Sequence, residues 1–263
     1  MPRTSLVTAS YVTRELGYGR LGEWARGDEA TQAWFAPVET YEERFGALLD
    51  DIEFLGYRVI DLWGAHLHWA WATEEHFGAA RRQLAAKGFE VNSLAAWAHD
   101  LASLEGFCRV ANEVGADIIA GGTPTLGDER SEAVAILSQS GVRFAIENHP
   151  ERHPDEVLSV IGDEEWIGAC PDTGWWGTQG YPSDEAVRRL AGRILTVHLK
   201  DVDEGGAGVR PGDGVARLAE TLDALADIAY DGVVGVEHEP DGWDPVGDLR
   251  YGFEMVETWK ASL

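Results

Sequence analysis

Lysine is nearly missing from this chain. It occurs only at positions 87, 200 and 260 among 21 basic residues, the rest being arginine. Acidic residues number 46, so the formal charge is −25. A surface of that sign repels a phosphate backbone and no basic run offsets it, which excludes nucleic acid as a partner. Cysteine is scarce as well. Cys108 and Cys170 are too few for a disulfide framework in 263 residues, and their apolar surroundings predict reduced, buried thiols and a cytoplasmic protein. No apolar run approaches the roughly 18 residues needed to span a bilayer. The opening stretch MPRTSLVTASYVTRELG has no long apolar segment and no small-residue cleavage site, so neither membrane nor signal peptide is expected. No composition break or linker divides the chain, which predicts one domain over residues 1–263.

What is present is a soluble-protein composition, 44% hydrophobic and 25% charged, arranged as a β/α alternation. Short β-branched or apolar runs at 5–11, 57–63, 89–95, 116–120, 142–147, 166–172, 194–199 and 233–237 read as eight strands. Helical spacing fills the gaps at 40–55, 73–87, 101–114, 128–138, 155–161, 184–191 and 215–228, with a last helix from about residue 245. Thr73 and Asp128 are the expected N-caps, and Gly56, Gly88 and Gly115 stand where helices stop. Eight strands each followed by a helix predict a (β/α)8 TIM barrel. An open doubly wound sheet is the weaker alternative, because no strand leads into G-x-G-x-x-G or a P-loop.

Barrel enzymes carry their chemistry at the C-terminal strand ends. Strand five ends in Glu147, strand six in Asp172 and strand eight in Glu237, and His198 lies near the end of strand seven. Each alone has a bland reading: a solvated acid, a helix cap, a hydrogen-bonded core histidine. Four at corresponding positions of consecutive strands converge on one point. Three carboxylates there repel one another strongly at low dielectric, so a compensating cation is expected. An oxygen-rich set with one imidazole suits Mn²⁺ best, with Mg²⁺ or Co²⁺ also compatible. Lys200, two residues past His198, points the same way on a strand and is expected to contact a substrate oxygen. Trp63, His66, His68 and Trp97 follow strands two and three, where they are placed to line a sugar pocket. Arg210 in the glycine-rich loop 203–214 is a candidate lid residue.

The motifs AIENHP, CPDTG, RILTVHLKD, PGDG at 211–214 and YDGVVGVEHE resemble those of the xylose isomerase-like barrel superfamily, whose members include sugar phosphate isomerases and epimerases. The resemblance covers most of the chain and is strongest from Phe144 onward. It implies that Glu147, Asp172, His198 and Glu237 bind one divalent metal, and that Glu147 and Glu237 act as acid and base in epimerisation or isomerisation through an enediolate. The implied partner is a small carbohydrate or cyclitol. It also suggests Asp61 as an acid that the family often carries late in strand two.

The segments ENH and DTGWW also look similar to cyclitol dehydratases and to the catalytic subunits of 3-oxo-C-glycoside deglycosidases. That alternative is a lyase with His149 as acid/base, and it leaves open a homo-oligomer or a hetero-oligomeric partner subunit. A non-catalytic sugar-binding barrel is the reading from a different class. The apurinic endonuclease branch is disfavoured, because it needs further histidines for a three-metal cluster. Here Trp175 stands where many relatives carry histidine, and it can neither ligate nor accept a proton. It predicts a single metal and a substrate with a flat or apolar portion.

Overall fold

A computed structural model describes residues 1–263. The eight strands are β1 (Arg3–Val7), β2 (Val59–Trp63), β3 (Glu90–Ala95), β4 (Ile118–Gly121), β5 (Arg143–Glu147), β6 (Ile167–Cys170), β7 (Val197–Leu199) and β8 (Val233–Val236). All pairings are parallel, in the order β6-β5-β4-β3-β2-β1-β8-β7. This is the (β/α)8 barrel the alternation predicts, and the open doubly wound sheet is overturned by the pairing of β1 with β8. The circle is nearly closed: β6 and β7 meet only through isolated bridges, Ala169 with Ile194 and Asp172 with His198.

The strands are short and buried on both faces because helices cover the outside and side chains fill the inside, the usual state of a parallel sheet. The helices are α1 (Trp24–Phe35), α2 (Val38–Phe54), α3 (Glu74–Lys87), α4 (Leu101–Val114), α5 (Arg130–Ser140), α6 (Pro154–Ile161), α7 (Thr173–Thr178), α8 (Ser183–Arg189), α9 (Leu218–Asp227) and α10 (Val246–Ser262). Thr73 caps α3 as expected, its hydroxyl 2.9 Å from His76 Nδ1. Asp128 does not cap α5. Thr123 instead caps a short 3-10 turn, Pro124–Leu126, and this turn delays α5 until Arg130. The Arg130 guanidinium then donates to the carbonyls of Val160 and Ile161 at the end of α6.

Inside the barrel, below the C-terminal rim, lies a polar floor centred on Asp61. Its carboxylate accepts from Ser5 Oγ, from Asn92 Nδ2 at 2.6 Å and from Ser93 Oγ at 2.6 Å. Asn92 also donates to Thr196 Oγ1 at 3.0 Å. Gly235 on β8 lies against this carboxylate, and a Cβ there would meet Asp61 Oδ2 at 2.7 Å. Asp61 is fully buried and saturated by these donors. It belongs to the floor that links β1, β2 and β3.

Candidate active site

The parallel registers bring four side chains to one side of the rim. Glu147, the last residue of β5, pairs with Cys170, and His198 pairs with Gly235. Glu237 follows β8 directly in the chain, and Asp172 follows β6 after Pro171. His198 Nδ1 lies 3.2 Å from Glu147 Oε1 and 3.4 Å from Glu237 Oε2. Asp172 is seated by its backbone: its N–H donates to Asn148 Oδ1 at 2.6 Å and its carbonyl accepts from Asn148 Nδ2 at 3.1 Å.

Asp172 caps the helix and also stands among the candidate ligands. Its Oδ1 accepts from Trp175 N at 2.9 Å and so caps α7, while Oδ2 turns to His149 Nε2 at 3.4 Å. Two ligand triads result, Glu147–His198–Glu237 and Glu147–His149–Asp172, with Glu147 in both. His149 Nε2, Asp172 Oδ2, His198 Nε2 and Glu237 Oε2 are buried without a hydrogen-bond partner. Buried orphans of this kind are costly and rare. Three carboxylates and two imidazoles holding such orphans fit a hard divalent cation, in donor type and in number.

Electrostatics divide the site. Burial opposes ionisation of Glu237, but Lys200 and His198 beside it hold its carboxyl below the usual range. Burial likewise opposes the Lys200 ammonium, and Glu237, Glu239 and Asp172 override it, keeping that pKa well above the ordinary value. Lys200 Nζ lies 3.3 Å from Glu237 Oε1 and donates also to Glu239 Oε2. Burial pushes Glu239 itself upward. For His149, burial works downward and the Asp172 carboxylate more than compensates, so its pKa is raised.

These groups open into a cavity of about 800 Å³. Glu147, His149, His198, Lys200 and Glu237 line it, together with Trp63 and Trp97 from the β2 and β3 exits. Four expected residues do not. Asp172 is fully buried and lies outside this lining. His66 is buried, with Nδ1 3.1 Å from Thr8 Oγ1 and its ring edge-on to Phe35 and Trp63, so it supports the wall from behind. Arg210 is drawn away by Asp213 at 2.9 Å and by the Tyr251 ring of α10 at 4.5 Å. Trp175 packs under His149 at 4.5 Å between ring centroids, and its Nε1 donates to Glu151 O at 3.1 Å. It braces His149 and presents no face to the cavity, which removes the ground on which it predicted a flat substrate.

Sequence reasoning missed Glu239, Trp24, Asp28, Trp69 and His99, all of which line the cavity. Glu239 had a signal: it lies two residues past Glu237, on the same face of extended chain. Trp24 and Asp28 had none, because the buried stripe of α1 is Gly27, Thr31 and Phe35, with a single large apolar residue.

With this geometry in hand, the chain matches the family described as xylose isomerase-like TIM barrel over residues 49–259, and it belongs to that family. A search of curated proteins finds an uncharacterized protein of Methanocaldococcus jannaschii, 28% identical over 120 residues, a match that spans 41% of either chain. Among solved structures, a D-tagatose 3-epimerase-like protein superposes with a TM-score of 0.70 at 15% identity, covering 98% of this chain and 97% of the other. A xylose isomerase-like TIM barrel protein from Mycobacterium smegmatis in complex with magnesium gives 0.66 at 18% identity over 86% and 90%. A probable 3-DHS dehydratase from Bacillus anthracis gives 0.65 at 16% identity over 98% and 99%. At such identities the likeness is one of fold.

Proposed function

We propose that this chain is a divalent-cation-dependent isomerase or epimerase acting on a keto-sugar, sugar or cyclitol. The observation that carries the reading is the meeting of Glu147 and Glu237 on His198, 3.2 and 3.4 Å from Nδ1, at the inner end of a cavity with orphaned buried ligand atoms. Glu147, Asp172, His198 and Glu237 would hold the ion, with His149 as a fifth candidate. Such an ion, Mn²⁺ in the first instance, supplies a Lewis acid for the substrate carbonyl and for the enediolate charge that follows.

The protein's own groups then account for the proton. One of Glu147 and Glu237 removes it from the carbon beside the carbonyl, and the other returns it from the opposite side or to the neighbouring carbon. Lys200, held charged between Glu237 and Glu239, donates to a substrate oxygen and keeps Glu237 ionised.

A lyase that expels a β-substituent from the same enolate is the second reading. His149 favours it, since it lines the cavity and its pKa is raised by Asp172, as does the fold shared with a probable dehydratase. Incubation with ketoses, inososes and 3-oxo-glycosides in D₂O with Mn²⁺ separates the two. Deuterium at the exchanging carbon, with an isomeric product or none, supports the isomerase or epimerase; released water or aglycone supports the lyase. Glu147→Gln and Glu237→Gln are each expected to lower kcat by roughly 10²–10⁴. Mn²⁺ binding in the absence of any exchange or turnover would leave a sugar-binding barrel as the better account.

A further inference from the structure

Glu239 lines the cavity beside Glu147 and Glu237, yet it belongs to neither ligand triad. Both of its carboxylate oxygens are taken from within the protein. Oε2 accepts from Lys200 Nζ, and Oε1 accepts from Trp24 Nε1 at 3.1 Å. Residues 237 and 239 share one face of extended chain, and His238 between them faces the other way. His238 is fully buried there, its N–H donating to Ser10 Oγ at 3.0 Å and its Nε2 3.1 Å from Asp248 Oδ2 of α10. The two glutamates are thereby kept turned toward the cavity.

Lys200 is held just as closely. Its N–H donates to Thr173 Oγ1 at 2.9 Å, and its carbonyl accepts from the same hydroxyl at 2.6 Å. The side-chain stem passes over Gly174, where a Cβ would meet Lys200 Cγ at 2.9 Å. With the stem fixed, the ammonium lies between two carboxylates, Glu239 and Glu237, the latter 3.3 Å from Nζ. The two partners differ in consequence. Glu237 carries one of the orphaned ligand atoms, Oε2, whereas both oxygens of Glu239 are already occupied. An ammonium settled on Glu237 would compete with a divalent ion for that carboxylate and set a like charge against it.

We infer that Glu239 is a positioning residue that holds the Lys200 ammonium off the cation seat and cancels its charge there. It acts through Lys200 and not as a ligand, and its bond to Trp24 anchors it to α1. The inference rests on the cation-dependent function proposed above. Without Glu239 the four candidate ligands remain, but the ion meets an uncompensated positive charge beside Glu237. Groups just outside a ligand set commonly change metal affinity by about 10–100-fold.

The test is Mn²⁺ titration by calorimetry on the full chain, comparing wild type, Glu239→Gln, Lys200→Met and the double variant. Glu239→Gln is expected to weaken Mn²⁺ binding by about tenfold or more. Lys200→Met is expected to bind at least as tightly as wild type. The double variant is expected to return to within about threefold of wild type, the non-additivity that marks one group acting through another. A Glu239 that ligates the ion, or that only supports the fold, would give no such rescue. Thermal melting without Mn²⁺ checks that each variant folds, and if Glu239→Gln does not, the other two variants decide. Unchanged affinity in folded Glu239→Gln, weaker binding by Lys200→Met, or an unrescued double variant overturns the inference and leaves the proposed function standing. Absence of Mn²⁺ binding by the wild type overturns both.

Discussion

His66 shows how a residue type associated with catalysis can be committed to packing. Burial, with Arg14 adding to it, pushes the imidazole pKa down to about 3. The unfolded value is close to 6.5. Between these limits the unfolded chain binds the extra proton, so this group's contribution to stability is complete above about pH 6.5 and is lost as pH falls toward 3. Wild-type melting temperature is therefore expected to fall over that window, and His66→Gln, less stable at neutral pH, should fall less steeply. Parallel profiles for the two proteins would contradict the assignment. The contrast with Glu147 and Glu237 is one of position: they stand at strand ends, whereas His66 turns back under the β2 exit to Thr8. Strand ends are legible in a sequence, and the course of a loop is not. The same limit explains Arg210, whose partner Tyr251 lies on α10, far along the chain.

At the scale of elements, every strand was legible because each is a short apolar run between turn residues, and most helices were legible from period and glycine stops. Ends drifted by up to four residues, most at β1, where the chain tightens into a 3-10 turn over Thr8–Tyr11. Two helices were not legible. In α1 glycine and charge interrupt the apolar face, and α7 is only a turn and a half, held by the Asp172 cap. The loop after β7 illustrates order without regular structure. The buried carboxylate of Asp201 accepts from the backbone N–H groups of Val202, Gly212, Gly214 and Ala216 at 2.8–3.0 Å. Asp201→Ala leaves these donors without their acceptor and is expected to cost about 3 kcal/mol. Hydrogen exchange should then accelerate across residues 202–216 before it does in the neighbouring strands; unchanged protection there would argue against the staple.

For the molecule as a whole, a charge of −25 means that the folded state confines strong self-repulsion. Added KCl screens it, so the melting temperature is expected to climb between about 0.01 and 0.5 M; a flat or falling response would show that local ion pairs such as Arg82 with Glu42 already balance the surface. The barrel's circle has one weak point, between β6 and β7, where two isolated bridges replace a ladder. One of those bridges joins Asp172 to His198. The candidate ligands thus stand on opposite lips of the seam. An ion held between them would act as a clasp: its release would let the barrel breathe there first, and its affinity would be set in part by the elasticity of the sheet that it closes.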